Sequence, residues 1–160
     1  MSKRIIFATG NEGKMKEIRI MLADLGVEIL SMKQAGIEAD IVEDGKTFAE
    51  NAAIKAKAIR ELAEPEDIVL ADDSGLVIDA LNGEPGIYSA RYMGEDTSYH
   101  VKNQNLITRL EGVPDEKRTA RFRCIISYID EEGKEYAFEG ICNGMIAHEP
   151  MGDNDFGYDP

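Results

Sequence analysis

The sequence predicts an α/β fold built on a mixed sheet, and three observations carry that expectation. An apolar, β-rich run at residues 4–8 gives way to apolar residues at helical spacing, so the chain opens strand, tight loop, helix. Strand-like and helix-like stretches go on alternating through the middle of the chain. From Ala120 the side chains alternate with a period of two up to a turn at residues 130–134, which returns the chain through a partner strand to about Ile146 and adds an antiparallel portion.

Each element has its own local reason. In the first helix Ile18, Met21, Leu22 and Leu25 fall at helical spacing and Gly26 stops it; a second strand follows at residues 27–31. After an acidic stretch through Ile41, Val42, Glu43, Asp44 and Gly45, Thr47 and Glu50 form a capping-box signature for a helix to about Ala63. Its inward stripe is Phe48, Ala52, Ala56, Ile59 and Ala63, while Asn51 and Lys55 share another face that by default meets solvent. Pro65 ends that helix, and residues 67–71 read as an apolar strand that terminates in Asp72, Asp73, Ser74 and Gly75. Residues 76–81 form another short apolar run, 83–86 a turn, and 97–110 a third helix with Tyr99, Leu106 and Leu110 inward, stopped by Gly112 and Pro114. In the late strand Ala120, Phe122, Cys124, Ile126 and Tyr128 share one side, against Arg121, Arg123 and Ser127.

Composition narrows the function classes. The chain has 160 residues with 43% hydrophobic content, enough for one compact domain, with room for two lobes. Its apolar N-terminal run is too short for a signal peptide or a membrane span, so a cytoplasmic protein with no membrane partner is expected. Cys124 and Cys142 lie on facing strands of the late hairpin and read as two small buried apolar residues of a reducing compartment. Eighteen basic residues against 31 acidic ones give a net charge of −13, which repels a nucleic acid polymer. A small phosphorylated ligand fits only if lysines, helix N-termini or a divalent cation offset that field locally.

Two segments suit such a ligand. Thr9, Gly10, Asn11, Glu12, Gly13 and Lys14 span the first strand-to-helix turn, where backbone amides face outward and phosphate is favoured. The segment is not a Walker A loop, because Ala8 and Met15 stand where that motif needs Gly and Ser or Thr. Lys14 sits against the helix dipole, which suggests an anionic ligand. The second segment, Asp72 to Gly75, ends a buried strand at the edge where open α/β sheets bind ligands; its hard oxygens suit magnesium, or else cap a turn. Lys55 becomes a phosphate ligand only if its helical face lines a cleft, and Glu43 and Asp44 are by default solvated acids. The aromatic and Gly-rich run of Phe156, Gly157, Tyr158 and Asp159 can clamp a base or pack its rings on the core.

In this order, TGNEGK, the DG, TF, ENA and KA of residues 44–56, ADDSGL, GEPGIYSARY and FGYDP closely resemble the inosine triphosphate pyrophosphatase family across almost the whole chain. The resemblance implies hydrolysis of noncanonical purine nucleoside triphosphates (dITP, ITP, XTP) to the monophosphate and pyrophosphate, Mg2+ as cofactor, a homodimer, and a mixed sheet with helices around a cleft between two lobes. By position it implies that Thr9, Asn11 and Lys14 are triphosphate ligands, Asp73 the base and a metal ligand, and Ser74 a substrate contact. It implies further that Glu43 is the second metal acid and Lys55 a phosphate ligand, with Phe156 stacked on the purine and Gly157, Tyr158 and Asp159 completing that wall. Family chains run on beyond FGYDP through a strand and a C-terminal helix bearing a Lys and a Ser-His-Arg triplet that read the base. This sequence ends at Pro160, and neither His100 nor His148 has that context. Asp155 stands where the family usually has Gly, which implies weaker binding. Two other readings stand beside this one: a catalytically impaired module that still binds nucleotide or dimerises, and a pyrophosphatase for modified pyrimidine nucleotides.

Overall fold

A computed structural model of the protein describes residues 3–9, 11–151 and Tyr158. Its strands are β1 (Arg4–Phe7), β2 (Glu28–Ser31), β3 (Ile68–Ile78), β4 (Thr119–Ile129) and β5 (Glu135–Met145), and its helices α1 (Glu12–Met21), α2 (Phe48–Leu62) and α3 (Tyr99–Arg109). The strands form one mixed sheet in the order β2-β1-β3-β4-β5. β1 is parallel to both neighbours, pairing Ile6 with Leu30 and with Val69. Parallel neighbours need a crossover, and α1 and α2 supply the two that the early strands require. Among the described residues no helix is long and apolar enough to cross a membrane.

The chain divides into two compact units, Met1–Asp73 with Ile125–Glu139 and Ser74–Cys124 with Gly140–Pro160. In the first unit β1 and β3 are covered on both faces. Ile6, Ala8, Val69 and Ala71 pack with Ala56 and Ile59 of α2, and Ile5, Phe7, Ile68 and Leu70 pack with Met15 of α1. That double cover explains why these strands read as continuous apolar runs. In the second unit Leu76, Ile78 and Leu81 pack with Leu106, Leu110 and Ala120.

Several local expectations need correction. β3 does not end at its acids but runs unbroken through Asp72 to Gly75, since Gly75 keeps a negative φ and Asp72 has an ion-pair partner. In α1 Ile18 and Leu22 pack against the core beside a buried Met15, while Met21 and Leu25 are exposed, because the helix stops at Met21 and a tighter turn rotates Leu25 outward. In α3 Tyr99 is exposed and Lys102 is buried instead, its Nζ donating to the Ala90 carbonyl at 2.8 Å. β4 buries Ile125, Ser127 and Ile129 on one side while Ile126 and Tyr128 pack on the other, so the single inward row does not hold. The cysteines are not both buried: Cys142 is exposed, Cys124 is half-buried, and both are free thiols.

Candidate active site

The first unit brings together most of the predicted residues, and local sequence explains how each is held. Asn11 caps α1, its side chain accepting from the Lys14 amide at 3.1 Å, while Thr9 Oγ1 accepts from the Asn11 amide at 3.1 Å. Thr9 and Asn11 therefore build the turn that presents the helix N-terminus. Glu12 lies exposed in the first helical turn, where its charge suits the dipole, and Gly13 follows it half-buried. Gly10 lies outside the described residues.

Lys14 has an internal anion. Its Nζ lies 2.8 Å from Asp72 Oδ2, so the charge set against the helix dipole is offset by a carboxylate 58 residues away in sequence. Lys55, one turn beyond Asn51 on α2, pairs with Glu43 at 2.9 Å, and its side chain is only 16% exposed. The expectation that this helical face meets solvent is overturned most clearly by Asn51, which is 1% exposed. Asn51 Oδ1 accepts from the Gly45 amide at 2.8 Å.

Asp73 stands at the centre of these groups. Burial pushes its carboxyl up to about 6; the Lys55 charge and the nearby Asn51 amide act against that rise, and the charges of Glu43 and Asp72 add to it. Its Oδ2 is buried with no hydrogen-bond donor among the described residues. An acceptor left in that state is costly unless something positive or a proton completes it. No group of three or more His, Cys, Asp or Glu side chains able to hold a metal occurs among the described residues. One or two carboxylates are what Mg2+ commonly takes from a protein, the rest of its shell coming from water and phosphate, so Asp73 with Glu43 fits a hard divalent cation.

The remaining candidates divide. Ser74 follows Asp73 in β3, half-buried, and belongs to the second unit. Tyr158, in the same unit, is anchored rather than free: its hydroxyl donates to the Ser89 carbonyl at 2.5 Å and its ring meets Tyr99 edge-on at 5.0 Å. Burial pushes that phenol well above its usual range. Phe156, Gly157 and Asp159, like Asp155, lie outside the described residues. Sequence reasoning passed over Gly45, and it read Asn51 only as the partner of Lys55. The spacing of Asn51 and Lys55 on one helical face was the available signal, and burial gives it meaning.

Comparison with known proteins adds an independent line. The Ham1 family matches residues 5–160. The dITP/XTP pyrophosphatase of Caldanaerobacter subterraneus subsp. tengcongensis is 48% identical over 157 residues, covering 98% of this chain and 78% of the relative. That of Geobacter sulfurreducens is 46% identical over 157 residues, with the same coverage of both chains. Among solved structures, a HAM1 protein from Coxiella burnetii superposes with a TM-score of 0.85 at 38% identity, covering 99% of this chain and 80% of that one. The Staphylococcus aureus Ham1 protein gives 0.84 at 38% identity, with coverages of 99% and 79%.

Proposed function

This chain belongs to the Ham1 family, and from that premise we propose that it is a nucleoside triphosphate pyrophosphatase acting on noncanonical purine nucleotides such as dITP, ITP and XTP. One observation carries the reading: Asp73 is a half-buried carboxylate with an orphaned oxygen, set among Lys55, Glu43, Asn51 and Asp72. The names of the relatives favour inosine-type and xanthine-type bases over modified pyrimidines.

The triphosphate meets the N-terminal amides of α1 together with Lys14 and Lys55. Each lysine already faces a carboxylate, Asp72 or Glu43, so a bound phosphate adds negative charge beside those acids that a divalent cation would offset. Asp73, whose buried Oδ2 has no donor among the described residues, is the group that accepts a proton from the attacking water. As that proton moves to Asp73, the water oxygen bonds to the α-phosphorus and the bond from that phosphorus to the bridging oxygen breaks. The bond's electrons leave with pyrophosphate, and the nucleoside monophosphate remains. Asp73 and Glu43 would hold the Mg2+, whose chemistry is to neutralise charge on the departing phosphates. The reading extends to a homodimer and to a single pyrophosphatase domain along the chain, supported by the family match over residues 5–160. The net charge of −13 speaks against a nucleic acid polymer as substrate.

Incubation with ITP, XTP, GTP and UTP in 18O-labelled water with Mg2+ tests this. The expected products are pyrophosphate and a monophosphate carrying the label, fastest from ITP or XTP. Release of orthophosphate with a nucleoside diphosphate would refute it. Light scattering tests the dimer.

A further inference from the structure

We propose that Asn51 is a positioning residue, which clamps the acidic loop at Gly45 onto α2 and so sets Glu43, one of the two carboxylates that would receive the divalent cation. The idea rests on the pyrophosphatase reading for its kinetic consequence, though not for its geometry.

Four observations converge on it. Asn51 is 1% exposed although Thr47 and Glu50, in the turn before it, are exposed, so an amide has been taken into the interior and must be satisfied there. Its Oδ1 accepts from the Gly45 amide at 2.8 Å. Gly45 leaves no room for a larger residue, since a Cβ there would lie 2.6 Å from Asn51 Oδ1 and 2.8 Å from Glu50 Cβ. Glu43, two residues before Gly45, is tied by Lys55 to the same helix, one turn further on. The loop is thus fixed to α2 at two points, by Asn51 through Gly45 and by Lys55 through Glu43. Carboxylates that hold metals generally need such support, and losing it typically lowers metal affinity or activity about 10- to 100-fold.

Three variants separate the parts of the device. Asn51→Leu removes the bond to Gly45, Asn51→Asp keeps an acceptor for it, and Gly45→Ala pushes the loop off an intact Asn51. The first readout needs no substrate: in 15N-labelled wild-type protein the Gly45 amide should exchange slowly with solvent. It should remain slow in Asn51→Asp and become fast in Asn51→Leu and Gly45→Ala. The second is Mn2+ affinity by paramagnetic resonance, expected to fall about 10-fold in Asn51→Leu and Gly45→Ala. The third is kinetic: kcat for ITP at saturating Mg2+ should fall about 10- to 100-fold in Asn51→Leu and Gly45→Ala, with KM changed less than about three-fold. The Asn51→Leu, Gly45→Ala double variant should be no worse than the poorer single. Rapid Gly45 exchange in the wild type overturns the proposal without any variant. So do wild-type Mn2+ affinity and kcat in folded Asn51→Leu or Gly45→Ala, or losses that multiply in the double variant. A wild-type protein that releases no pyrophosphate refutes the functional reading instead, and the exchange and Mn2+ measurements still decide the clamp.

Discussion

Asp73 and Asp67 show how one residue type takes opposite roles according to what surrounds it. Asp73 is pushed up to about 6, chiefly by burial. Replacing it with Asn should lower pyrophosphate release at least about 100-fold, the usual contribution of a positioned base. The same change should abolish any Mg2+-induced rise in melting temperature, since the ligand oxygen is gone. A variant that still turns over at the wild-type rate would remove Asp73 from the mechanism. Asp67 is 1% exposed but receives Arg4 through two hydrogen bonds, at 2.9 and 2.7 Å, with a third from the Glu64 amide at 3.0 Å. The Arg4 guanidinium holds its carboxyl below the usual carboxylate range. A depressed carboxyl contributes stability that is complete above its unfolded value of about 3.9 and is lost as the pH falls through the lower folded value. Asp67→Asn should therefore cost about 2 kcal/mol at pH 7. In urea titrations the gap between variant and parent should close as the pH falls below about 4. A gap that persists at low pH would place the effect in packing rather than charge.

Among the elements, α2 links sequence to site most directly. Thr47 caps it, accepting from the Glu50 amide at 3.0 Å, and the Glu50 side chain reaches back to the Lys46 amide at 2.6 Å. The reciprocal pattern expected from Thr47 and Glu50 is thus present but shifted one residue outward. Thr47→Ala should cost about 1 kcal/mol in denaturant unfolding. The helix was legible because a cap, a stripe of small apolar residues and a terminating Pro are all local signals. Its polar face was not: whether Asn51 meets water depends on the loop folded over it, and no periodicity within α2 records that loop. β3 was misread for a similar reason. Two adjacent acids look like a strand end when each is assumed to need water, yet Lys14 of α1 pairs with the Asp72 Oδ2.

For the whole molecule the governing quantity is charge. With a net charge of −13, the long-range field repels a triphosphate even where Lys14 and Lys55 attract it at short range. Raising ionic strength at fixed Mg2+ should therefore raise kcat/KM for ITP, as screening weakens the distant acids more than the buried pairs. A fall with salt would mean that the local lysines dominate encounter. Sequence by itself determined the order of strands and helices, the cap of α2, the hairpin turn near Gly133 and the family, because those rest on backbone conformation and on motifs contiguous in the chain. Tertiary structure alone decided that Lys14 meets Asp72, that Lys55 meets Glu43, that Asn51 is buried against Gly45, and that Asp73 keeps an unsatisfied oxygen. Those facts depend on which distant segments exclude water from one another, and the strength of a charge or a hydrogen bond is set by that exclusion rather than by residue type.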